Sequence, residues 1–269
     1  MNLREQKMVS LLTTLREEHG AVSLKAEFEA EGTRVDELLR LVDVARAAGL
    51  KLTLKIGGCE AIRDLLEAKQ IGVEYIIAPM VETGYAAGKF RAAKDSVFGS
   101  NAEGRTGFLV NLETITSFIN KEDIFAEANN GTGLDGVVFG RVDFTGSLGW
   151  GRDAINEDRT TDYIVETAKL CQQHNKQLVV GGGVASESIP ALRRIADVRL
   201  DRFETRKVVF DAQAALASNI DRGLTTAVNF ELLWLENKQD YYQAAASEDS
   251  KRIEMLRARF EYLVSVTGN

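Results

Sequence analysis

Short apolar runs alternate with amphipathic stretches along nearly the whole chain of 269 residues. Amphipathic patterns of helical period lie between the runs, for example over 35–49, 60–72 and 160–175. This alternation predicts a parallel sheet covered by helices, and at this length it favours a (β/α)8 TIM barrel over a doubly wound open sheet. Seven runs have the composition of strands: 21–28, 51–57, 73–80, 107–113, 135–140, 176–182 and 198–205.

The number of strands and the C-terminal region define the predicted organisation. An eighth strand is expected either in the N-terminal region or near 206–210. Residues 226–269 carry apolar and aromatic positions at helical spacing, which predicts a helical extension after a barrel domain of residues 1–225. The extension either packs on the barrel as part of the same domain or forms a subunit contact in a homo-oligomer.

Composition narrows the classes of protein. Hydrophobic residues make up 45% of the chain and charged residues 27%, which is typical of a soluble globular protein. The formal net charge of −7 argues against nucleic acid or an anionic membrane as partner. No apolar run approaches the roughly 20 residues of a membrane-spanning helix. Cys59 and Cys171 form no zinc or disulfide motif, so we expect a cytoplasmic protein.

Two carboxylates follow apolar runs that are predicted to be neighbouring strands. Glu113 ends one run, and Asp143 comes three residues after the next. In a barrel the carboxyl ends of the strands form the active site. Two acids there, with no Cys or His beside them, suit a hard divalent cation such as Mg²⁺ or Mn²⁺. The alternative is that Glu113 caps a helix and Asp143 forms an Asx-turn.

Three segments carry a resemblance to a known family. "IIAPMVET", "FLVNLET" and "GLDGVVFGRVDFTGSLG" resemble consecutive strand-end motifs of the HpcH/HpaI aldolase/citrate lyase family, over about residues 29–206. The resemblance implies a (β/α)8 barrel of the phosphoenolpyruvate–pyruvate superfamily that binds Mg²⁺ or Mn²⁺. It also implies a lyase that makes or breaks a carbon–carbon bond beside the enolate of a 2-oxo acid or acyl-CoA.

The same resemblance assigns roles to residues of this chain. Glu113 and Asp143 fall on the family's two metal-binding acids, and Asn111 falls on an amide that lines the site. Lys55 falls where the aldolases place an Arg that contacts the keto-acid oxygens. Gly140 and Val142 belong to the turn whose N–H groups receive the substrate carboxylate. The expected substrate is a small anionic 2-oxo acid similar to pyruvate or oxaloacetate, with or without an aldehyde partner.

One position departs from the family pattern. The aldolases carry a Glu-His pair after an early strand, and here Glu29 is followed by Ala30. Strand alternation places Lys25, Glu27 and Glu29 on one face, which we expect to point into the site. Glu29 or Glu27 is predicted to replace the missing acid–base group, with Lys25 as its charge partner. The alternative is an internal Lys–Glu ion pair at the barrel mouth.

Several further features leave their interpretations open. The three glycines at 181–183 either cradle a phosphate or form a tight turn between strand and helix. Arg206, beside Glu204 at the last strand end, and Arg105 are candidates for anion binding. Trp150 either closes a lid over the substrate or packs within its loop. The function is therefore predicted as a metal-dependent aldolase or lyase. The alternatives are an altered barrel that binds an anionic or phosphorylated metabolite, and a different enolpyruvyl-type reaction.

Overall fold

The computed structural model describes residues 1–99 and 106–268. Eight strands form a closed barrel in chain order. Their apolar residues alternate between an outer face that packs against helices and an inner face that fills the lumen. The strands are β1 Ala21–Glu27, β2 Lys51–Lys55, β3 Tyr75–Ala78, β4 Gly107–Leu112, β5 Gly136–Gly140, β6 Gln177–Gly181, β7 Arg202–Glu204 and β8 Val208–Asp211.

Helices surround this barrel and confirm the predicted (β/α)8 TIM barrel class. They are α1 Leu3–His19, α2 Val35–Ala47, α3 Ile62–Ile71, α4 Gly84–Phe98, α5 Ile115–Ile119, α6 Lys121–Ala128, α7 Arg141–Ser147, α8 Asp158–Gln173, α9 Ile189–Ala196, α10 Ala212–Ala217 and α11 Ile220–Thr267. Two short 3₁₀ segments, Arg152–Asn156 and Ser186–Ser188, follow α7 and β6. In the part of the chain that the structure describes, no helix is long and apolar enough to cross a membrane.

The eighth strand differs from the other seven in direction. Strands β1 to β7 pair with their neighbours in parallel, but β8 runs antiparallel to both β7 and β1. The turn 205–207 joins β7 directly to β8, so no helix intervenes. The eighth strand therefore lies where the second of the two predicted positions put it. Because β8 runs backwards, this turn lies at the carboxyl ends of the other strands.

The barrel lumen is layered. Ile77, Leu109, Val138 and Val179 form a small buried apolar cluster inside it. Lys25 and other charged side chains lie on the inward-facing positions of the strand ends above this cluster. The apolar layer therefore closes the lumen and leaves the charged residues at one mouth.

The C-terminal helix is one continuous element. Helix α11 begins at Ile220, and the predicted boundary between residues 225 and 226 falls inside it. Its first part is buried against the barrel through residues such as Phe230 and Trp234, and α11 packs along α1. Beyond Tyr242 nearly every side chain is exposed. The first part of the extension thus packs on the barrel, and its long remainder is not buried by other described residues of this chain.

Candidate active site

A cavity of about 460 Å³ opens at the carboxyl ends of the strands. Every predicted site residue that the structure describes lines it, and Arg105 lies outside the described residues. A larger cavity of about 1000 Å³ lies between α1, α2 and α11, but it contains none of the strand ends. The lining of the smaller cavity includes Lys25, Glu27, Glu29, Lys55, Asn111, Glu113, Gly140, Val142, Asp143 and Arg206.

The first group of charges connects β1 with β7 across the mouth of the barrel. Lys25 Nζ lies 2.6 Å from Glu204 Oε1 and 3.1 Å from Glu27 Oε1. Burial lowers the pKa of Lys25, but the two carboxylates outweigh it and hold the pKa above its ordinary value. Burial likewise raises the pKa of Glu27, and Lys25 outweighs it, so the net pKa is low. Lys25 is thus paired with Glu27, as both interpretations of this strand face expected, and Glu204 is its second partner.

A second group lies on β2, β4 and the segment after β1. Lys55 Nζ lies 3.0 Å from Glu29 Oε2 and 3.4 Å from Glu113 Oε2. Burial opposes the charge of Lys55, but its carboxylate neighbours, Glu113 foremost, raise its pKa and keep it an ammonium. The Glu29 side chain is 27% exposed against 2% for Glu113. Glu29 is therefore the acid of this group that a substrate reaches more easily.

Glu113 is held rigidly at the cavity floor. Its carboxylate accepts hydrogen bonds from the Met80 backbone N–H at 2.9 Å and from Asn111 Nδ2 at 2.5 Å. Met80 has a left-handed φ of 49°, an uncommon conformation that aims its N–H at the acid. A Cβ on Gly140 would lie 2.9 Å from both Cβ and Oε2 of Glu113. The glycine at the end of β5 therefore makes room for the acid of β4.

Asp143 lies in the first turn of α7 and is exposed. Neither a hydrogen bond nor an ion pair of its side chain occurs within residues 1–99 and 106–268. It shares the cavity with Glu113, as predicted, and because it is exposed it needs no partner inside the protein. Its accessible carboxylate is free to accept a cation.

The donors of this cavity fit a divalent cation that keeps water and substrate ligands. Asn111 Oδ1 is buried without a hydrogen-bond partner beside Glu113, which leaves an oxygen for a cation or its water. Among the described residues, no three His, Cys, Asp or Glu side chains are placed to hold an ion by themselves. The formal charge of the lining is nonetheless −2, four cations against six carboxylates: Lys25, Lys55, Arg152 and Arg206 against Glu27, Glu29, Glu113, Asp143, Glu204 and Glu231. Mg²⁺ typically uses one or two carboxylates and completes its shell with water and substrate.

Three lining residues that bear on the chemistry or the position of the site were not predicted. Met80 acts through a backbone N–H, which no side-chain pattern reveals. Glu231 comes from α11 and accepts hydrogen bonds from Thr205 Oγ1 and the Lys207 N–H, so it ties the long helix to the β7–β8 turn. Arg152 lies in the glycine-flanked segment after α7. The only feature of the sequence that could have indicated its role is the position of this segment after a predicted strand end.

Trp150 and the two histidines of the chain lie away from the cavity. Trp150 packs against Tyr163, with Arg159 over its ring at 3.9 Å, so it does not line the cavity. His19 is buried beside α11, and His174 contacts Asn129. In the described part of the chain the cavity therefore contains no histidine.

Arg206 and the glycine turn have structural partners. Arg206 pairs with Glu31 at 3.1 Å while it lines the cavity. A Cβ on Gly182 would lie 2.7 Å from the Val142 backbone nitrogen, so a side chain there would collide with the β5 turn. This close approach accounts for the glycine without a phosphate, in agreement with the tight-turn alternative.

Comparisons with known proteins give one family and one fold. A family model described as HpcH/HpaI aldolase/citrate lyase matches residues 16–182. No curated protein matches the sequence. An HpcH/HpaI aldolase from Desulfitobacterium hafniense DCB-2 is similar in structure, with a TM-score of 0.58 and 15% identity over 84% of this chain and 89% of that one.

Two further solved structures share the fold. A family protein from Burkholderia cenocepacia J2315 has a TM-score of 0.56 and 14% identity over 82% of this chain and 99% of that one. A citrate synthase variant, SbnG, has a TM-score of 0.53 and 15% identity over 82% and 89%. At such identities these likenesses establish the fold alone.

Proposed function

The chain belongs to the HpcH/HpaI aldolase/citrate lyase family, and we propose that it is a divalent-metal-dependent carbon–carbon lyase acting through the enolate of a 2-oxo acid. One observation carries the proposal. Glu113, Asp143 and Lys55 share one strand-end cavity whose described lining has a formal charge of −2. Such a cavity repels an anionic substrate unless a cation is present, and one divalent ion balances the charge.

The residues that would hold the ion are Glu113 and Asp143, with the Asn111 carbonyl oxygen beside them. Bound Mg²⁺ or Mn²⁺ supplies Lewis-acid stabilisation of negative charge on the substrate oxygens. Lys55, an ammonium 3.4 Å from Glu113, adds positive charge where the enolate oxygen develops. The N–H groups of the turn at Gly140 and Val142 orient the substrate carboxylate.

Proton transfer falls to Glu29 in this proposal. The aldolase histidine is replaced by Ala30, and Glu29 is the more exposed carboxylate beside Lys55. Glu29 accepts a proton from the substrate carbon or hydroxyl, and Lys55 stabilises the carboxylate between turnovers. Glu27 is a weaker candidate because its side chain is 12% exposed, against 27% for Glu29.

The proposal is tested first by metal binding and then by proton exchange. Titration with Mn²⁺ measures the affinity, and ¹H NMR in D₂O follows loss of the pyruvate methyl signal with Mg²⁺ present. We expect Glu113→Ala and Asp143→Ala to abolish both. Asp153→Asn, which removes an exposed acid outside the cavity lining, should change neither. A wild-type protein without affinity for Mn²⁺ would refute the metal site and the mechanism together.

The histidine-free cavity favours a second candidate. In this alternative the barrel binds an anionic metabolite and performs no chemistry, because its strand ends have lost the acid–base group of the aldolases. The same measurements separate the two. Binding of pyruvate or oxalate with Mg²⁺, but no exchange above the rate of free Mg²⁺, would favour the binding protein.

We also propose that the exposed part of α11 pairs with a second copy of the chain. Ile253, Leu256, Phe260 and Leu263 are exposed at a spacing of three, four and three residues, which is the seam of a two-helix contact. Residues 248–261 carry four acids and four bases, so two copies do not repel each other. Light scattering after gel filtration should give a dimer or larger assembly, and Phe260→Asp should lower the mass.

A further inference from the structure

Arg141, the first residue of α7, is completely buried, with 0% of its surface exposed. Its guanidinium donates to the Gly181 carbonyl at 3.2 Å, to Asn156 Oδ1 at 3.0 Å and to Ser188 Oγ at 3.1 Å. All three acceptors are neutral, and within the described ranges Arg141 forms no ion pair with a carboxylate. An arginine guanidinium stays charged at neutral pH in proteins, so a positive charge is buried here.

An unpaired buried charge is unfavourable, so its position has to be explained. The lysines of the cavity are different, because each of Lys25 and Lys55 contacts two carboxylates. Their positive charge is therefore neutralised locally, whereas that of Arg141 is not. In a poorly polarisable interior an unneutralised charge acts over several ångströms.

Arg141 lies directly behind one wall of the cavity. The Gly181 carbonyl that it contacts belongs to a residue of the lining. Its bond to Asn156 fixes the 3₁₀ segment whose first residue, Arg152, also lines the cavity. Ser188 anchors the start of α9 to the same guanidinium. One side chain thus joins the ends of β5 and β6 to the segment that carries Arg152.

The cationic side chains of the lining differ in whether a carboxylate already pairs with them. Lys25, Lys55 and Arg206 all lie within 4 Å of carboxylates. Arg152 is exposed and forms no ion pair within residues 1–99 and 106–268. The free positive charge of the site is therefore concentrated on the wall formed by the turns after β5 and β6.

We propose that Arg141 is a positioning residue that makes this wall the anion-binding side of the cavity, by fixing Arg152 and by supplying an unneutralised positive charge behind Gly181. The anion is a substrate carboxylate, so the inference rests on the proposed function for the substrate class. It goes beyond the expected backbone contacts at Gly140 and Val142, because it assigns the charge that attracts the anion and the side chain that holds the loop.

The test compares a charged and an uncharged ligand by binding alone. Dissociation constants of pyruvate and ethyl pyruvate are measured by ligand-observed NMR with Mg²⁺ present, for wild type and Arg141→Met. We expect roughly 10- to 30-fold weaker binding of pyruvate, the effect of removing one positive charge several ångströms from the anion in a partly polarisable interior. Binding of ethyl pyruvate, which lacks the carboxylate charge, should stay within about twofold. Equal weakening of both ligands would indicate a merely structural role and overturn the inference.

Two further variants keep the inference testable if Arg141→Met does not fold. Arg152→Met changes an exposed residue, so folding is not at risk, and it should weaken pyruvate but not ethyl pyruvate. Unchanged pyruvate affinity in Arg152→Met would overturn the assignment of this wall. Ser188→Ala removes a hydroxyl that accepts from Arg141 and donates to Asn156, but it removes no charge. It should leave the ratio of the two affinities as in wild type; a changed ratio would contradict the role given to charge.

Failure of the proposed function remains distinguishable. If the wild-type protein binds pyruvate but shows no methyl exchange, the lyase proposal is refuted. The role of Arg141 can still be tested, because its test measures binding alone. Wild-type protein that binds neither ligand refutes the substrate class, and with it the inference.

Discussion

Adding one methyl group at Gly140 tests the site most directly. The φ of Gly140 is −90°, so alanine suits its backbone, and any effect must come from the space that the new Cβ needs. That Cβ would lie 2.9 Å from Glu113 Cβ and 2.9 Å from Glu113 Oε2. Rotation of the Glu113 side chain relieves the second contact but not the first. Strand β4 or β5 must therefore shift as well.

The magnitude follows from these contacts. Extra methyl groups in a packed interior typically reduce the free energy of unfolding by about 1–3 kcal/mol. For a domain near this size each kcal/mol lowers Tm by about 2–4 °C, so Gly140→Ala should lose roughly 2–12 °C. The carboxylate should also leave the Met80 N–H and Asn111. We therefore expect the Mn²⁺ affinity of the variant to fall at least about tenfold, since one of two acids is displaced.

The assay combines calorimetric unfolding with Mn²⁺ titration of the same preparation. Gly146→Ala is the matched control, because it adds a methyl group in the neighbouring helix where nothing lies within 4 Å of the new Cβ. The control should keep both Tm and Mn²⁺ affinity. Wild-type metal affinity in a folded Gly140→Ala protein would refute the placement of Glu113 as a ligand held against β5.

Three further outcomes follow from the charges and thiols. Glu29→Gln should reduce pyruvate methyl exchange by about 100-fold or more while Mn²⁺ affinity stays within severalfold, and unchanged exchange would exclude Glu29 as the base. Because the pKa of Glu27 is lowered in the folded state, its stabilisation is present above about pH 4.3, the ordinary pKa of a glutamate, and is lost as pH falls through the folded value. Urea midpoints at pH 6 and pH 4 should therefore differ less for Glu27→Gln than for wild type, and an equal difference would contradict the pairing with Lys25. Burial raises the pKa of the Cys59 thiol, so iodoacetamide should label it more slowly than glutathione at pH 8; faster labelling, followed by mass spectrometry, would indicate a reactive thiolate.

The barrel was predictable because hydrophobic periodicity determines burial. Alternation along β1 placed Lys25, Glu27 and Glu29 on one face, and all three line the cavity. The apolar runs along the chain gave the strands within a few residues of their ends. The direction of β8 was not predictable, because a four-residue apolar strand reads identically in both directions. In the structure a turn of three residues precedes β8, which is too short for a crossover to a parallel strand and therefore accompanies an antiparallel pair.

Site residues could be predicted where the residue type alone indicates a chemical role. They could not be predicted where the role depends on a contact with a residue distant in sequence. Glu113 and Asp143 stood out as acids after apolar runs. The contact of Lys25 with Glu204 joins residues 179 positions apart, and no local pattern reveals it. Arg141 belongs to the same class, since its lack of an anionic partner appears only when the turns after β5 and β6 are packed together.

Glycines at the strand ends are visible in the sequence, and the structure shows which neighbouring acid each one accommodates. A Cβ on Gly140 would collide with Glu113 of the preceding strand, and one on Gly181 would lie 2.9 Å from Oε1 of Glu204 on the following strand. In both pairs a glycine that ends one strand provides the space for a carboxylate on its neighbour. The carboxylates then remain inside the barrel mouth, where Lys55 and Lys25 neutralise part of their charge. A strand-end glycine beside a neighbouring strand-end acid is thus a packing requirement of an acidic barrel mouth, because a larger residue at Gly140 or Gly181 would force the acid, the strand or both to move.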